Sequence, residues 1–283
     1  MLGLLNVEQI LIDELIKHTP TKILIDKLDN VDTLMIDWLP TAKKSVRKAP
    51  LLLNQTNIIE ESIKRKIPVI LFDRYLSITE KEYHWLRKFG GIRFCEPALN
   101  YRRYFSYLPF PIKCKNRDTI ELNETSRELP LVYKGDLENK IKSFEKYYLE
   151  YGKMNPDQSW YDGRVMKGKE LEYTHFNVNK KEFELNQAKC MLLLGSQRDY
   201  TVGYLDGFLS KLLNNNVIPL LPAEHKYYSF TTTVADVDLI EWFVNSYDMC
   251  YIGFLLDVYN RIDKCYNEMT VGSVSNQIME WIS

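Results

Sequence analysis

The stretch Cys190–Leu221 constrains the fold of this chain more than any other. An apolar run, Cys190-Met-Leu-Leu-Leu194, is followed by the polar loop Gly195-Ser-Gln-Arg-Asp199. Val202–Leu213 then has helical spacing, Asn214-Asn-Asn216 marks a tight turn, and Val217–Leu221 is a second apolar run. Short continuous apolar runs fit strands buried on both faces, as in a parallel sheet. The polar loop therefore lies where a strand ends and a helix begins. In α/β proteins that junction is where nucleotides and their phosphates bind.

The same alternation runs through the rest of the chain. Met1–Leu5, Lys22–Leu28, Thr33–Trp38, Ile67–Phe72 and Ile92–Cys95 read as strands. Val7–His18, Asn54–Lys66 and Thr79–Phe89 read as helices, with Thr79 as a cap and Gly90-Gly91 as a stop. Pro109, Pro111 and a polar run up to Pro130 interrupt the pattern. It restarts with strands at Leu131–Tyr133, Ser159–Tyr161, Met191–Leu194 and Val217–Leu221, and with helices at Leu137–Tyr151, Lys180–Ala188 and Val202–Leu213. Helices follow at Val237–Tyr247, Tyr251–Cys265 and Ser275–Trp281. The expected fold class is α/β, with two Rossmann-like domains, a deep cleft between them and a helical C-terminus. The expected boundaries are 1–112 for the first domain, 113–130 for a linker and 131–283 for the second domain with the terminal helices.

Composition narrows the function. The 283 residues carry a net charge of −1, so bulk charge does not make the molecule a polyanion binder. The charge is uneven, however: residues 1–128 hold 21 Lys/Arg against 17 Asp/Glu. Basic residues gather at Lys43, Lys44, Arg47 and Lys48, and again from Arg102 to Arg117. These are either a solvated basic face or a phosphate-contacting surface. Five scattered cysteines show no metal-ligand spacing, and Cys95, Cys190 and Cys250 sit in apolar runs as expected of buried thiols. No signal peptide or membrane-spanning run is apparent, which points to an intracellular, cytoplasmic chain. Motifs of dinucleotide dehydrogenases, P-loop NTPases and α/β hydrolases are missing. The four histidines form no motif, and Asp236-Val-Asp238 opens a helix, where acids suit the positive dipole end.

Two similar α/β halves with a nucleotide-type loop in the second resemble the GT-B class of nucleotide-sugar glycosyltransferases. Several segments resemble the phage DNA β-glucosyltransferase family in particular. They are Asp32-Thr-Leu-Met-Ile-Asp37, Val69-Ile-Leu-Phe-Asp-Arg-Tyr-Leu76, Phe105-Ser-Tyr-Leu-Pro-Phe-Pro111, Leu131-Val-Tyr-Lys-Gly135, Tyr173-Thr-His-Phe-Asn-Val178 and Leu193-Leu-Gly-Ser196 with the helix up to Pro219. The match is one of layout with scattered identities over most of the chain. The resemblance implies a sugar moved, with inversion, from a nucleotide sugar (a UDP-sugar) to a hydroxyl on a hydroxymethylated base of phage DNA. It implies a monomer with double-stranded DNA as partner, no membrane and no obligatory cofactor, a divalent metal being compatible with the diphosphate. The resemblance places the general base at Asp73, so Asp73→Ala is expected to fold normally and transfer no sugar.

Donor contacts are expected at Gly135, Lys142, Phe176, Ser196, Gln197, Arg198 and Asp206. Ser196–Arg198 supply a hydroxyl, an amide and a guanidinium at a strand end, beside a helix expected to start near Thr201. DNA contacts are expected at Lys43, Lys44, Arg74, Arg102, Arg103 and Lys115. Two departures stand out: Glu138 replaces one diphosphate-binding arginine of the family, and Lys211 replaces its ribose-binding Glu. The same fold acting on a glycan or lipopolysaccharide, and a non-catalytic nucleotide or nucleic-acid binding module, remain alternatives.

Overall fold

A computed structural model describes residues 1–24, 27–39, 49–99, 101–122, 127–134, 140–155, 159–162, 179–180, 184–204, 208–225, 232–234 and 236–283. The chain forms two units, Met1–Pro111 with Glu268–Ser283, and Ile112–Asn267. Each is built on a six-stranded, all-parallel sheet. Among the described residues no helix is long and apolar enough to cross a membrane.

In the first unit the strands are β1 (Leu2–Leu5), β2 (Thr21–Ile23), β3 (Thr33–Asp37), β4 (Val69–Phe72), β5 (Ile92–Glu96) and β6 (Ser106–Tyr107), in the order β2-β1-β3-β4-β5-β6. Strands β1, β3 and β4 are buried along their whole length, which explains why they read as unbroken apolar runs. Leu34, Ile36 and Leu71 meet Ile58 and Ile59 of α2 (Ala49–Lys64) and Leu86 of α3 (Glu80–Arg87) in one core. Helix α3 starts at a capping box between Thr79 and Glu82 and is followed by Gly90 and Gly91, both at positive φ. Helix α1 (Gln9–Leu15) touches the last helix of the chain, α10 (Val271–Ile282). Gln277 of α10 donates to the Tyr107 carbonyl at 3.0 Å, and Arg93 lies over the Trp281 ring. The terminal helix thus belongs to the first unit, whereas the sequence reading assigned it to the second.

The second unit comprises β7 (Leu129–Lys134), β8 (Ser159–Asp162), β9 (Asn179–Lys180), β10 (Ala188–Leu192), β11 (Ile218–Pro222) and β12 (Thr232–Val234), in the order β12-β11-β10-β7-β8-β9. The chain thus builds outward from β7 to β9, returns to the other side of β7, and builds outward again. This is the doubly wound order of dinucleotide-binding sheets, and β7 and β10 flank its switch point.

Several local expectations are corrected. A helix over Lys180–Ala188 does not form: Asn179–Lys180 is β9, Leu185–Gln187 is a 3-10 turn, and Ala188 already pairs with Leu129. The helix expected over Val202–Leu213 is two, α7 (Gln197–Val202) and α8 (Phe208–Asn214), because Gly203 takes the left-handed conformation that ends α7. The expected linker contains α4 (Arg117–Leu122), and Pro130 lies inside β7. The region 141–154 is α5 (Ile141–Ser143), a π-helical stretch (Phe144–Leu149) and α6 (Glu150–Met154). Helix α9 runs from Val237 to Cys265 without the expected break. The rings of Phe243 and Phe254 are nevertheless 5.6 Å apart, although a straight helix separates such positions by about 16 Å, so α9 bends between them. Cys250 is exposed rather than buried.

The C-terminus of α8 shows how the second unit handles orphaned carbonyls. Four successive carbonyls receive side-chain donors: Leu213 from Tyr259 (2.6 Å), Asn214 from Lys115 (2.6 Å), Asn215 from Arg127 (2.8 Å) and Asn216 from Tyr251 (3.2 Å). Cations also suit the negative end of a helix. Tyr259→Phe is expected to cost about 1 kcal/mol in urea unfolding by removing one of the two donors to the Leu213 carbonyl, which keeps the Asn216 N–H. An unchanged unfolding midpoint would contradict this role of the cap.

Candidate functional site

The switch point of the second unit holds a small, open pocket. Tyr133 and Lys134 reach it from the end of β7, Met191–Gly195 from β10 and the loop after it, and Lys140, Asp199 and Tyr204 from the flanking segments. The pocket therefore lies beyond the carboxyl ends of two parallel strands, where a doubly wound sheet leaves a crevice. Its character is mixed: two lysines, one carboxylate and two tyrosines line it together with apolar residues of β10 and the loop after it.

Gly195 is required by close approach. A Cβ there would lie 2.8 Å from the Tyr200 ring. The Gly195 N–H donates to the Tyr200 hydroxyl at 3.0 Å, so the loop after β10 is held against α7. Tyr200 also meets Ser143 at 3.4 Å and the edge of the His225 ring at 5.7 Å. Burial pushes the Tyr200 phenol up and the His225 imidazole down, so both favour their neutral forms. At the end of β11, Glu224 accepts from Lys146 (2.8 Å) and from the Tyr147 hydroxyl (2.7 Å). Burial pushes the Glu224 carboxyl up, but these two donors outweigh it and hold it below its ordinary value.

The polar loop is placed as the sequence implies, but its side chains are used differently. Helix α7 starts at Gln197 rather than near Thr201, and Ser196 is its N-cap. The Ser196 N–H donates to Asp199 at 2.7 Å and the Asp199 N–H donates to the Ser196 hydroxyl at 3.2 Å, so Ser196 and Asp199 form a capping box. Gln197 and Arg198 are exposed on the first turn of α7, and Lys142 is exposed on α5. Gly135, Phe176 and Asp206 lie outside the described residues, as do Lys43 and Lys44. Lys140, a weaker candidate for the diphosphate in the sequence beside Lys142, lines the pocket, whereas sequence reasoning missed Lys134, Asp199 and Tyr204. The signal for Lys134 was its place at the end of the β7 run; the others are brought in by packing.

In the first unit, four acids gather at the carboxyl edge of the sheet: Glu8 after β1, Asp37 ending β3, Asp73 after β4 and Glu96 ending β5. Asp73 is fully buried. One of its oxygens accepts from the Ser77 N–H and hydroxyl (2.8 and 3.1 Å), the other from the Ile78 N–H (2.8 Å) and Arg102 (2.6 Å). A general base needs access to a proton, and this carboxylate has every approach filled by a donor. Asp73 ties down the loop after β4, and it pairs with Arg102 rather than Arg74. Arg102 is correspondingly no surface contact, since it also bonds Glu96 (2.5 Å) and the Ile78 carbonyl and lies over the Phe105 ring.

Arg74 is 6% exposed and pairs with Asp37 and Glu8, which removes it from any DNA-facing surface. Lys115 is spent on the end of α8, where burial, with Lys113 and Arg127 nearby, pushes its amine down to about 8. Of the expected DNA contacts that are described, Arg103 alone is exposed. Burial raises the Asp37 carboxyl to about 6 against the pull of Arg74. Among the described residues no group of His, Cys, Asp and Glu is arranged to hold a metal ion.

No protein-family model matches this sequence, and no curated protein matches it. Solved structures do. AviGT4, a glycosyltransferase involved in avilamycin A biosynthesis, superposes with a TM-score of 0.54 at 8% identity, over 99% of this chain and 96% of that one. Alr3699/HepE from Anabaena, solved in complex with UDP, superposes with a TM-score of 0.51 at 8% identity, over 99% and 98%. The fold is that of the GT-B glycosyltransferases.

Two outcomes follow from the charge cluster. Asp73→Ala leaves Arg102 paired with Glu96 but strands the Ser77 and Ile78 N–H groups, so it is expected to cost about 2 kcal/mol in urea unfolding, whereas a solvent-facing Asp73 would cost little. Asp37 is protonated more readily in the folded chain than at its ordinary value of 3.8. Its contribution is therefore full below about pH 4 and lost as pH rises through about 6. The stability of the wild type relative to Asp37→Asn is expected to fall by on the order of 2 kcal/mol between these pH values. A pH-independent difference would contradict the shift.

Proposed function

We propose that this chain transfers a sugar from a nucleotide-sugar donor, a UDP-sugar, to a hydroxyl acceptor by a single displacement that inverts the anomeric carbon. The donor occupies the pocket at the switch point of the second unit. The observation that carries this reading is the placing of two lysines, Lys134 and Lys140, at that switch point. A departing nucleoside diphosphate develops negative charge, and fixed cations stabilise it where water is thin. Arg198, exposed on the first turn of α7, is a further diphosphate contact. The likeness in fold to Alr3699/HepE, solved in complex with UDP, supports the same choice of nucleotide.

For the acceptor, the reading carried from the sequence resemblance is a hydroxymethylated base in phage DNA. Its support on the first unit is a small exposed surface: Arg103, and Arg87 beside the Tyr104 ring, which is 65% exposed. A glycan acceptor is the competing reading, and the loss of Arg74, Arg102 and Lys115 from the DNA-facing set favours it.

Calorimetry with UDP-glucose is expected to give binding that Lys134→Ala/Lys140→Ala weakens at least tenfold, since each charge-assisted bond contributes about 1.5–3 kcal/mol. Affinity unchanged in the double variant would sink the donor assignment. Retention on duplex DNA through two phosphate contacts is expected to weaken roughly tenfold between 50 and 200 mM salt. No retention at the lower salt would remove DNA and leave the glycan.

A further inference from the structure

The crevice of the second unit has two walls that are distant in sequence. Lys134 and Lys140 belong to the wall after β7, Gly195 and Asp199 to the wall after β10. One buried hydroxyl joins the two. Tyr200 is 6% exposed, and its hydroxyl accepts from the Gly195 N–H at 3.0 Å and donates to the Ser143 hydroxyl at 3.4 Å. A phenol does both at once, having one proton to give and lone pairs to accept with.

Both ends of this bridge are stiff. The Phe144 N–H donates to the Lys140 carbonyl at 3.0 Å, so Lys140 and Ser143 stand on one turn. The Phe144 ring packs on Tyr133, the residue before Lys134, with 5.4 Å between ring centres. On the other side the Tyr200 ring fills the space where a Cβ on Gly195 would stand, and the His225 ring backs it at 5.7 Å, nearly at right angles. The backbone donors of the loop after β10 are spent inside the loop and α7. The Gly195 N–H goes to Tyr200, the Ser196 N–H to the Asp199 carboxylate at 2.7 Å and the Asp199 N–H to the Ser196 hydroxyl at 3.2 Å. These three groups are engaged before a diphosphate arrives. Its charge then falls to the lysines of the facing wall, and electrostatic stabilisation by fixed groups depends on where they are held.

We propose that Tyr200 is a positioning residue for the donor's diphosphate: its hydroxyl fixes the separation of the two walls, and with it the place of Lys140 relative to the loop after β10. This assignment rests on the donor reading above. Tyr200 acts through Lys140 and Gly195 rather than by touching the nucleotide. In Tyr200→Phe the ring keeps its packing against Gly195 and His225 while both hydrogen bonds are lost. The turn that carries Lys140 is then untied from the facing wall.

The test measures UDP binding by calorimetry and uridine binding by NMR titration for wild type, Tyr200→Phe, Lys140→Ala and the double variant. Uridine has no phosphate and reads the rest of the site. Tyr200→Phe is expected to weaken UDP about tenfold, two hydrogen bonds being lost, and to leave uridine affinity unchanged. Lys140→Ala is expected to weaken UDP less in the Tyr200→Phe background than in wild type, because residues that act through one another do not add. UDP affinity unchanged in Tyr200→Phe, with the Lys140→Ala loss intact, would overturn the role of Tyr200 and leave the donor reading standing. Equal weakening of UDP and uridine, or additive losses in the double variant, would overturn it as well, since a merely structural tyrosine gives those results. If Tyr200→Phe does not unfold cooperatively in urea, Ser143→Ala decides. That variant is expected to weaken UDP roughly two- to threefold with uridine unchanged, and wild-type UDP affinity in it would overturn the bridge. Wild-type protein that binds no UDP would overturn the donor reading and this assignment with it.

Discussion

Parallel pairing between strands that are distant in sequence is the constraint from which the candidate site follows. In the second unit Ala188, Cys190 and Met191 of β10 lie beside Leu129, Leu131 and Val132 of β7. Such neighbours cannot be joined by a tight turn, so every connection crosses a face of the sheet and covers it. The faces of the central strands β10 and β11 are then largely apolar, and polar chemistry gathers at the strand ends. Where the chain reverses its direction of building, the connections leave to opposite sides and the carboxyl edge stays open. Lys134, Gly195 and Tyr204 stand at that opening because the order of strands leaves it there.

The first unit applies the same constraint to a different chemistry. Its strand ends carry acids, and two arginines gather them: Arg74 with Glu8 and Asp37, and Arg102 with Asp73 and Glu96. Buried ion pairs seldom stabilise more than apolar side chains of the same size would, yet removing one member leaves an uncompensated charge. Such pairs hold geometry. Asp73 fixes the loop after β4 through Ser77 and Ile78, and Arg102 joins that loop to β5. Arg74 links the ends of β1 and β3, two neighbouring strands.

Much of this fold was legible in the sequence because doubly buried strands appear as unbroken apolar runs. Thr33–Asp37, Val69–Phe72 and Ile218–Pro222 stand within one or two residues of where such runs place them. Helices were legible where a cap or stop was written in, as at Thr79 and Gly90. They failed where a tertiary bond decided: Ala188 is drawn into β10 by Leu129, and Gly203 ends α7 from within an amphipathic run. The terminal helix follows α9 in the chain and so was placed with the second domain, whereas its packing on α1 and its contacts with Tyr107 and Arg93 put it in the first unit. Site residues were harder to read because charge in a sequence does not say what it faces. Arg74, Arg102 and Lys115 look like solvated cations, yet each is tied to acids or carbonyls inside its unit. Asp73 has the strand-end position of a catalytic acid and the environment of a loop anchor. The order of strands decides which strand ends flank a crevice, and that order is not a local property of the chain.

The most direct measurement of the central claim is a crystal structure of the protein grown with UDP. The diphosphate is expected beyond the ends of β7 and β10, within hydrogen-bonding distance of Lys134 or Lys140 and against the Gly195 backbone. Well-ordered UDP bound elsewhere on the second unit, with this crevice empty, would contradict the donor site.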